Sequence, residues 1–299
     1  MKIVNIIGGL GNQMFQYAFA CRLKKLYPNE EVLIDTSHFH HIFIKKWKTA
    51  NLHNGYEIDK VFPNATLPKA SPWQIIKVSR YVPNYLVSRY VRKHFSQKKS
   101  EVVQKPKYYY AYDPSVLERK GDVYFEGLWG AVSYHATVRN TLQHVFAHPV
   151  PNEQNATYIA DMERENSVGI HIRRGDYLLT GAFRGLCNLD YYKAGIDKMM
   201  SDGLPHTFYI FSNDIEWCKE NITPLVRNSK LTMVTCNTGK NSCWDMFLMT
   251  HCKDLIIANS TFSWWGAFLN NRGGRVVAPN KWMNRNAEFD IWLPEWIKL

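Results

Sequence analysis

Short apolar runs alternate with stretches in which apolar residues recur every three or four positions. The first pattern fits buried strands, the second amphipathic helices. Residues 2–7 read as a strand. A glycine-rich turn, Gly8-Gly9-Leu10-Gly11, follows, then a helix from about residue 12 to 27 with Met14, Tyr17, Ala18, Cys21 and Leu26 on its inner face. Residues 31–35 and 123–125 are further strands, and a helix holds Val138, Leu142 and Val145. Two prolines within residues 147–152 mark a linker. Beyond it the rhythm is cleaner. Strands are expected at 167–172, 207–212, 231–235, 255–258 and 275–278, and helices at 191–200, from 215 to 220, at 242–251 and at 260–269. This repetition implies an α/β fold with parallel sheets. It predicts two Rossmann-like lobes facing a central cleft, one over residues 1–150 and one over 151–299.

Three expected strand ends in the second lobe carry polar clusters, and open α/β sheets bind ligands at the carboxyl ends of their strands. The first is His171-Ile172-Arg173-Arg174-Gly175-Asp176-Tyr177. An arginine presents a planar, permanently charged fork that matches phosphate oxygens. A solvated surface cluster, with Arg173 or Arg174 paired to Asp176, is the competing reading. The second is Phe211-Ser212-Asn213-Asp214. A carboxylate there can accept the N1–H and exocyclic amine of guanine, and Ser212, Asn213 or Asp214 can equally cap the following helix. The third is Asn259-Ser260-Thr261-Phe262-Ser263-Trp264-Trp265. Its first residues open a helix whose unpaired N–H groups suit a phosphate, while the tryptophans suit the core.

The N-terminal turn supplies the first two glycines of a dinucleotide fingerprint, Gly9 and Gly11, but Met14 stands where the third belongs. Asp35 ends a strand as a ribose-binding acid would. Asn12 and Gln13 add polar side chains at the helix start, or Asn12 merely caps it.

The formal charge of +11 points to a polyanionic partner: nucleotide, nucleic acid or acidic membrane. Residues 68–100 concentrate this charge. Lys69, Lys77, Arg80, Arg89, Arg92, Lys93, Lys98 and Lys99 occur with no acid and with interleaved aromatics such as Trp73, Tyr81 and Tyr90. A solvated helical face is the favoured reading; peripheral contact with anionic lipid is the other. No apolar run spans a membrane and no secretory leader is evident, so a cytoplasmic protein with reduced thiols is expected. No Asp-x-Asp, Walker A or His-Glu-x-x-His pattern occurs, and His38, His40 and His41 lack partners spaced for zinc. A nucleotide diphosphate bound without metal fits these observations, with Arg173 neutralising the leaving group.

Residues 8–18, 171–177, 208–217 and 259–267 resemble the α-1,2-fucosyltransferases of glycosyltransferase family 11. The resemblance covers residues 3 to about 282 and keeps the order of the motifs. It implies a GT-B-type fold, no cofactor or metal, and no nucleic-acid partner. The first lobe (residues 1–150, with the basic insertion at 68–100) would serve the acceptor and the second would bind the GDP-sugar. The implied reaction is inverting transfer from GDP-β-L-fucose to the 2-hydroxyl of a terminal β-galactoside. By position, Arg173 would bind the β-phosphate, His171 would contact the nucleoside, and Asp214 with Asn213 would read guanine. Ser260, Thr261 and Ser263 would hold the diphosphate, and Asn12 would reach across the cleft toward the phosphate of the donor or the acceptor. Asp176 would act as the base or orient Arg173. Family members often carry Gln-Ser-Glu-Lys after an aromatic strand end, where this chain has Glu126-Gly127-Leu128-Trp129-Gly130-Ala131-Val132-Ser133. Two other classes compete: a nucleotide-dependent oxidoreductase resting on Gly9, Gly11 and Asp35, and a glycan- or membrane-binding protein resting on residues 68–100.

Overall fold

A computed structural model describes residues 1–39, 54–80, 85–95, 98–226 and 229–299. His40, His41 and Tyr81 lie outside the described residues. The chain packs as two units, Met1–Pro149 with Ala287–Ile291, and Val150–Asn286 with Trp292–Leu299. The return of residues 287–291 to the first unit has a visible cause. Asp290 accepts the Val132 amide at 2.6 Å and donates its own to the Tyr110 carbonyl at 2.8 Å.

The first unit runs β1 (Lys2–Asn5), α1 (Leu10–Leu26), β2 (Val32–Asp35), α2 (Ile58–Val61), α3 (Pro72–Val78), α4 (Tyr85–His94), β3 (Glu101–Val103), β4 (Val123–Glu126) and α5 (Arg139–Val145). Its sheet is parallel, in the order β2-β1-β4-β3. α1 starts earlier than its pattern predicts. Gly8 turns the chain at φ +81, so Gly9 is the cap residue and Asn12 lies inside the first turn. The helix is buried nearly all round over its first three turns, which blurs a one-sided pattern. Met14, Tyr17 and Ala18 are in the core as expected, whereas Cys21 is half-buried and Leu26 is exposed. Gln13 is buried and bound to the Gly8 carbonyl. Gln16 accepts the Ile7 amide at 2.8 Å and donates to the Gly127 carbonyl at 3.1 Å, tying the exits of β1 and β4 together.

Asp35 ends β2 as predicted but is 1% exposed. It accepts the Tyr124 hydroxyl at 2.6 Å and the Ser37 amide at 2.9 Å. An acid spent in this way does not stand ready for a dinucleotide ribose, which removes the main support of the oxidoreductase reading.

Residues 68–100 are not one basic face. A capping box of Ser71 and Gln74 starts α3, whose Ile75 and Val78 pack on Ile3, Leu33 and Tyr124. Arg92 is buried, with its Nε 2.6 Å from Glu126 Oε2 and its guanidinium 5.0 Å from the Tyr124 ring centre. Lys77 pairs with Asp122 at 2.8 Å, and Lys69 pairs with Asp59. Acids from elsewhere in the unit thus neutralise much of the run, although Trp73 is 81% exposed. No helix among the described residues is long and apolar enough to cross a membrane.

The second unit runs α6 (Glu153–Arg164), β5 (Ser167–Ile172), α7 (Asp176–Leu179), α8 (Leu189–Met200), β6 (Thr207–Ser212), α9 (Ile215–Asn221), β7 (Lys230–Val234), α10 (Cys243–His251), β8 (Asp254–Ile256), α11 (Thr261–Leu269), β9 (Val276–Ala278) and β10 (Ile297–Lys298). The sheet is parallel throughout, in the order β10-β9-β8-β5-β6-β7. Counted within the unit this is 6-5-4-1-2-3, the doubly wound Rossmann order, and it reverses direction between β5 and β8. Every residue of β5 is buried, as helices on both sheet faces require. Val168, Ile170, Phe208, Ile210 and Ile256 pack with Tyr191, Tyr192, Ile196 and Met199 of α8. Trp264 and Trp265 are fully buried, as their apolar load predicts.

Candidate donor site at the sheet switch point

Strands on either side of the reversal leave a crevice at their carboxyl ends. β5 pairs with β8 through Ile170 and Ile256. Three residues on from each, the chain reaches Arg173 and Asn259. Gly175 makes the sharp exit from β5 possible. Its φ is +60, and a Cβ there would stand 2.9 Å from Asn213 Nδ2.

Arg173 and Arg174 take different partners. Arg173 donates to Asp176 Oδ1 at 2.8 Å and lies 5.4 Å from the Tyr177 ring centre. Its side chain is 35% exposed and that of Asp176 60%, so the pair is open to solvent and to a ligand. Arg174 instead donates from Nε to Asp214 Oδ2 at 2.9 Å and stacks 4.0 Å over Trp217. Its amide donates to Asn213 Oδ1 at 2.9 Å. Asp214 is also the cap of α9, accepting the Trp217 amide at 3.2 Å. Capping and a charge contact therefore coexist on this carboxylate, which still has lone pairs to offer.

His171 is buried, with its ring 5.7 Å from that of Phe262. Burial, with the Arg173 charge adding to it, pushes its pKa down to about 3. The imidazole is thus neutral at physiological pH. Its Nδ1 is buried and has no hydrogen-bond partner among the described residues.

The N-terminus of α11 is open. Ser260 holds the cap position, but its side chain makes no capping bond, and the first helical bond is from the Trp264 amide to the Ser260 carbonyl. The amides of Thr261, Phe262 and Ser263 have no partner among the described residues. They carry the positive end of a nine-residue helix. Ser263 offers only this amide. Its hydroxyl is fully buried and donates at 3.3 Å to the carbonyls of Ala258 and Ser260. Asn259 is buried, donating to the Trp282 carbonyl at 3.2 Å and accepting from the Cys187 thiol at 3.5 Å.

The second unit therefore gathers His171, Arg173, Asp176, Asn213, Asp214, Ser260, Thr261 and Ser263 on three neighbouring strand ends. Asn12 belongs to the first unit. There, the stretch after β4 is mostly buried, from Gly127 to Val132, with Trp129 stacked on Phe19 at 4.5 Å. Among the described residues no three His, Cys, Asp or Glu side chains are grouped to hold a metal ion.

One titratable group escaped the sequence reading. Asp245, in the first turn of α10, accepts from Asn237 Nδ2 at 3.0 Å, and Asn237 in turn pairs with the buried Asn155. Burial pushes the Asp245 carboxyl up to about 7. Because this pKa lies above the ordinary carboxylate value, the folded state loses stability as pH rises from about 4 to about 7 and regains none above. Asp245→Asn should abolish that fall. Urea denaturation at pH 5 and pH 8 should show the wild type losing up to about 3 kcal/mol more than the variant over that interval. Parallel pH profiles for the two proteins would refute the assignment.

Two units, each built on a parallel sheet flanked by helices, define a GT-B-type fold. The solved structure of NodZ α-1,6-fucosyltransferase soaked with GDP-fucose is similar to this fold at a TM-score of 0.50 and 12% identity, covering 90% of this chain and 91% of that one. The chain belongs to glycosyl transferase family 11, whose profile matches residues 1–299. It is similar to the alpha-1,2-colitosyltransferase of Escherichia coli, 31% identical over 309 residues that cover 99% of this chain and 98% of that protein. Galactoside alpha-(1,2)-fucosyltransferase 1 of Lagothrix lagotricha is 34% identical over 142 residues, 44% of this chain and 37% of that protein.

Proposed function

We propose that the protein transfers L-fucose from GDP-β-L-fucose to the 2-hydroxyl of a terminal β-galactoside, with inversion and without a metal ion. The carrying observation is the pairing of an accessible arginine fork with an open helix N-terminus on the two strands that flank the switch point. Arg173 takes the β-phosphate, while the amides of Thr261, Phe262 and Ser263 take the remaining diphosphate oxygens. Asp214, beside Asn213, accepts the N1–H and amine of guanine. The neutral ring of His171 meets the nucleoside. The acceptor oxygen bonds to the anomeric carbon as the bond from that carbon to the β-phosphate oxygen breaks. The bonding electrons leave with GDP, whose growing charge Arg173 stabilises. The ion pair with Arg173 favours an orienting role for Asp176, and the hydroxyl proton passes to a phosphate oxygen of the departing GDP.

A second donor has specific support. One relative matched over nearly the whole chain is a colitosyltransferase, and colitose is fucose without its 3-hydroxyl. The test is turnover of GDP-fucose and GDP-colitose, each in competition with the other, in the presence of EDTA. Undiminished fucose transfer under chelation is the expected result. A strict metal requirement would overturn the electrostatics, and a tenfold or greater preference for GDP-colitose would move the donor assignment to that sugar.

A further inference from the structure

Tyr177 follows the charged run, and its surroundings give it a task. Its ring lies under the Arg173 guanidinium, 5.4 Å from the ring centre, while the same guanidinium pairs with Asp176 at 2.8 Å. Phe183 braces the ring, stacked on it at 4.5 Å and 19°. The loop that carries Phe183 is itself pinned. The Asn284 amide donates to the Ala182 carbonyl at 2.8 Å, and Asn284 Nδ2 donates to the carbonyls of Gly181 and Arg184 at 3.1 and 2.8 Å. The Tyr177 phenol faces the Ser260 hydroxyl; burial pushes its pKa up, so it stays protonated. Ser260 is the residue whose side chain leaves its own helix uncapped. Tyr177 thus stands beside both halves of the anion site, its ring by the fork at the exit of β5 and its phenol by the helix start after β8.

We infer that Tyr177 is a positioning residue for the transfer, holding the Arg173 fork toward the open N-terminus of α11. The inference rests on the donor site proposed above. An arginine carries several rotatable bonds, and an exposed one samples many directions. Asp176 fixes one edge of the guanidinium. The aromatic face fixes its plane, through the attraction of a cation to a ring. Transition-state stabilisation depends on donors already aimed where charge develops, so a loosened fork lowers kcat more than it weakens ground-state binding.

A double-mutant cycle tests this. Tyr177→Ala should lower kcat about tenfold with KM for GDP-fucose nearly unchanged, and Tyr177→Phe, which keeps the ring, should stay within about threefold of wild type. In an Arg173→Lys background Tyr177→Ala should cost less than about twofold, because the group it positions is gone. Should Tyr177→Ala fail to fold, Phe183→Leu, which removes the brace, runs the same cycle. Losses that multiply in the two backgrounds would mean a purely structural role and overturn the inference, as would wild-type kcat in Tyr177→Ala. Calorimetric GDP binding by the wild type keeps the two claims apart. A wild type that neither binds GDP nor turns over GDP-fucose brings down the proposed function and this inference with it. A wild type that does both leaves any failure of the cycle to Tyr177 alone.

Discussion

Arg173→Lys lowers kcat for fucosyl transfer by about a hundredfold or more, although the charge is retained. The expectation follows from shape. Guanidinium offers parallel N–H donors that can hold Asp176 on one edge and phosphate oxygens on another, whereas an ammonium is a compact, strongly hydrated point charge. Removing one preorganised donor aimed at developing negative charge costs about 10²–10³ in kcat in well-studied enzymes. Stability should barely move, since the side chain is 35% exposed and its partner more so. Steady-state kinetics alongside a thermal melt separate the two effects. A variant with near-normal kcat would remove Arg173 from the mechanism.

The largest effect on stability is expected at Trp264. It is fully buried, stacked on Phe268 at 4.7 Å and packed edge-on against Trp265 at 5.0 Å and Trp296 at 6.0 Å. Truncation to alanine removes this contact area and leaves a cavity, for a cost of about 3–5 kcal/mol. Trp264 also donates the first helical bond of α11, to Ser260. A cavity directly behind that turn should therefore weaken GDP binding as well. Urea denaturation and calorimetry measure the two consequences. A loss below about 1 kcal/mol would show that the site collapses without penalty.

The second unit was the more legible half of the sequence. β5 and β6 are covered on both faces, so they appear as unbroken apolar runs with polar residues massed just beyond them. The three strand ends were visible for that reason. β3 and β10, of three and two residues, carry too little pattern to register, and α6 begins directly after the proline-bearing stretch that reads as a linker. Side-chain pairings were legible only in part. The sequence offers Asp176 as the partner of Arg173 or Arg174, and only the fold decides between them: Arg174 meets Asp214 across 40 positions, which leaves Asp176 to Arg173. Tyr177 passed unnoticed because its partners, Phe183 and Ser260, are brought to it by tertiary packing. Polar residues also misled where they serve the fold. Asp35 and the Ser263 hydroxyl look like ligand groups but are consumed by internal hydrogen bonds. The basic run at 68–100 looked free of acids because its acids, Asp59, Asp122 and Glu126, lie outside it in the chain.

Product linkage tests the central claim most directly. The purified protein is incubated with GDP-β-L-fucose, EDTA and a panel of β-1,3- and β-1,4-linked galactosides, and the product is examined by NMR. The account predicts a new α-fucosyl anomeric signal with a long-range correlation from its H1 to C2 of the terminal galactose. Fucose attached at any other carbon, a β-linked product, or transfer only when a divalent metal is restored would contradict it.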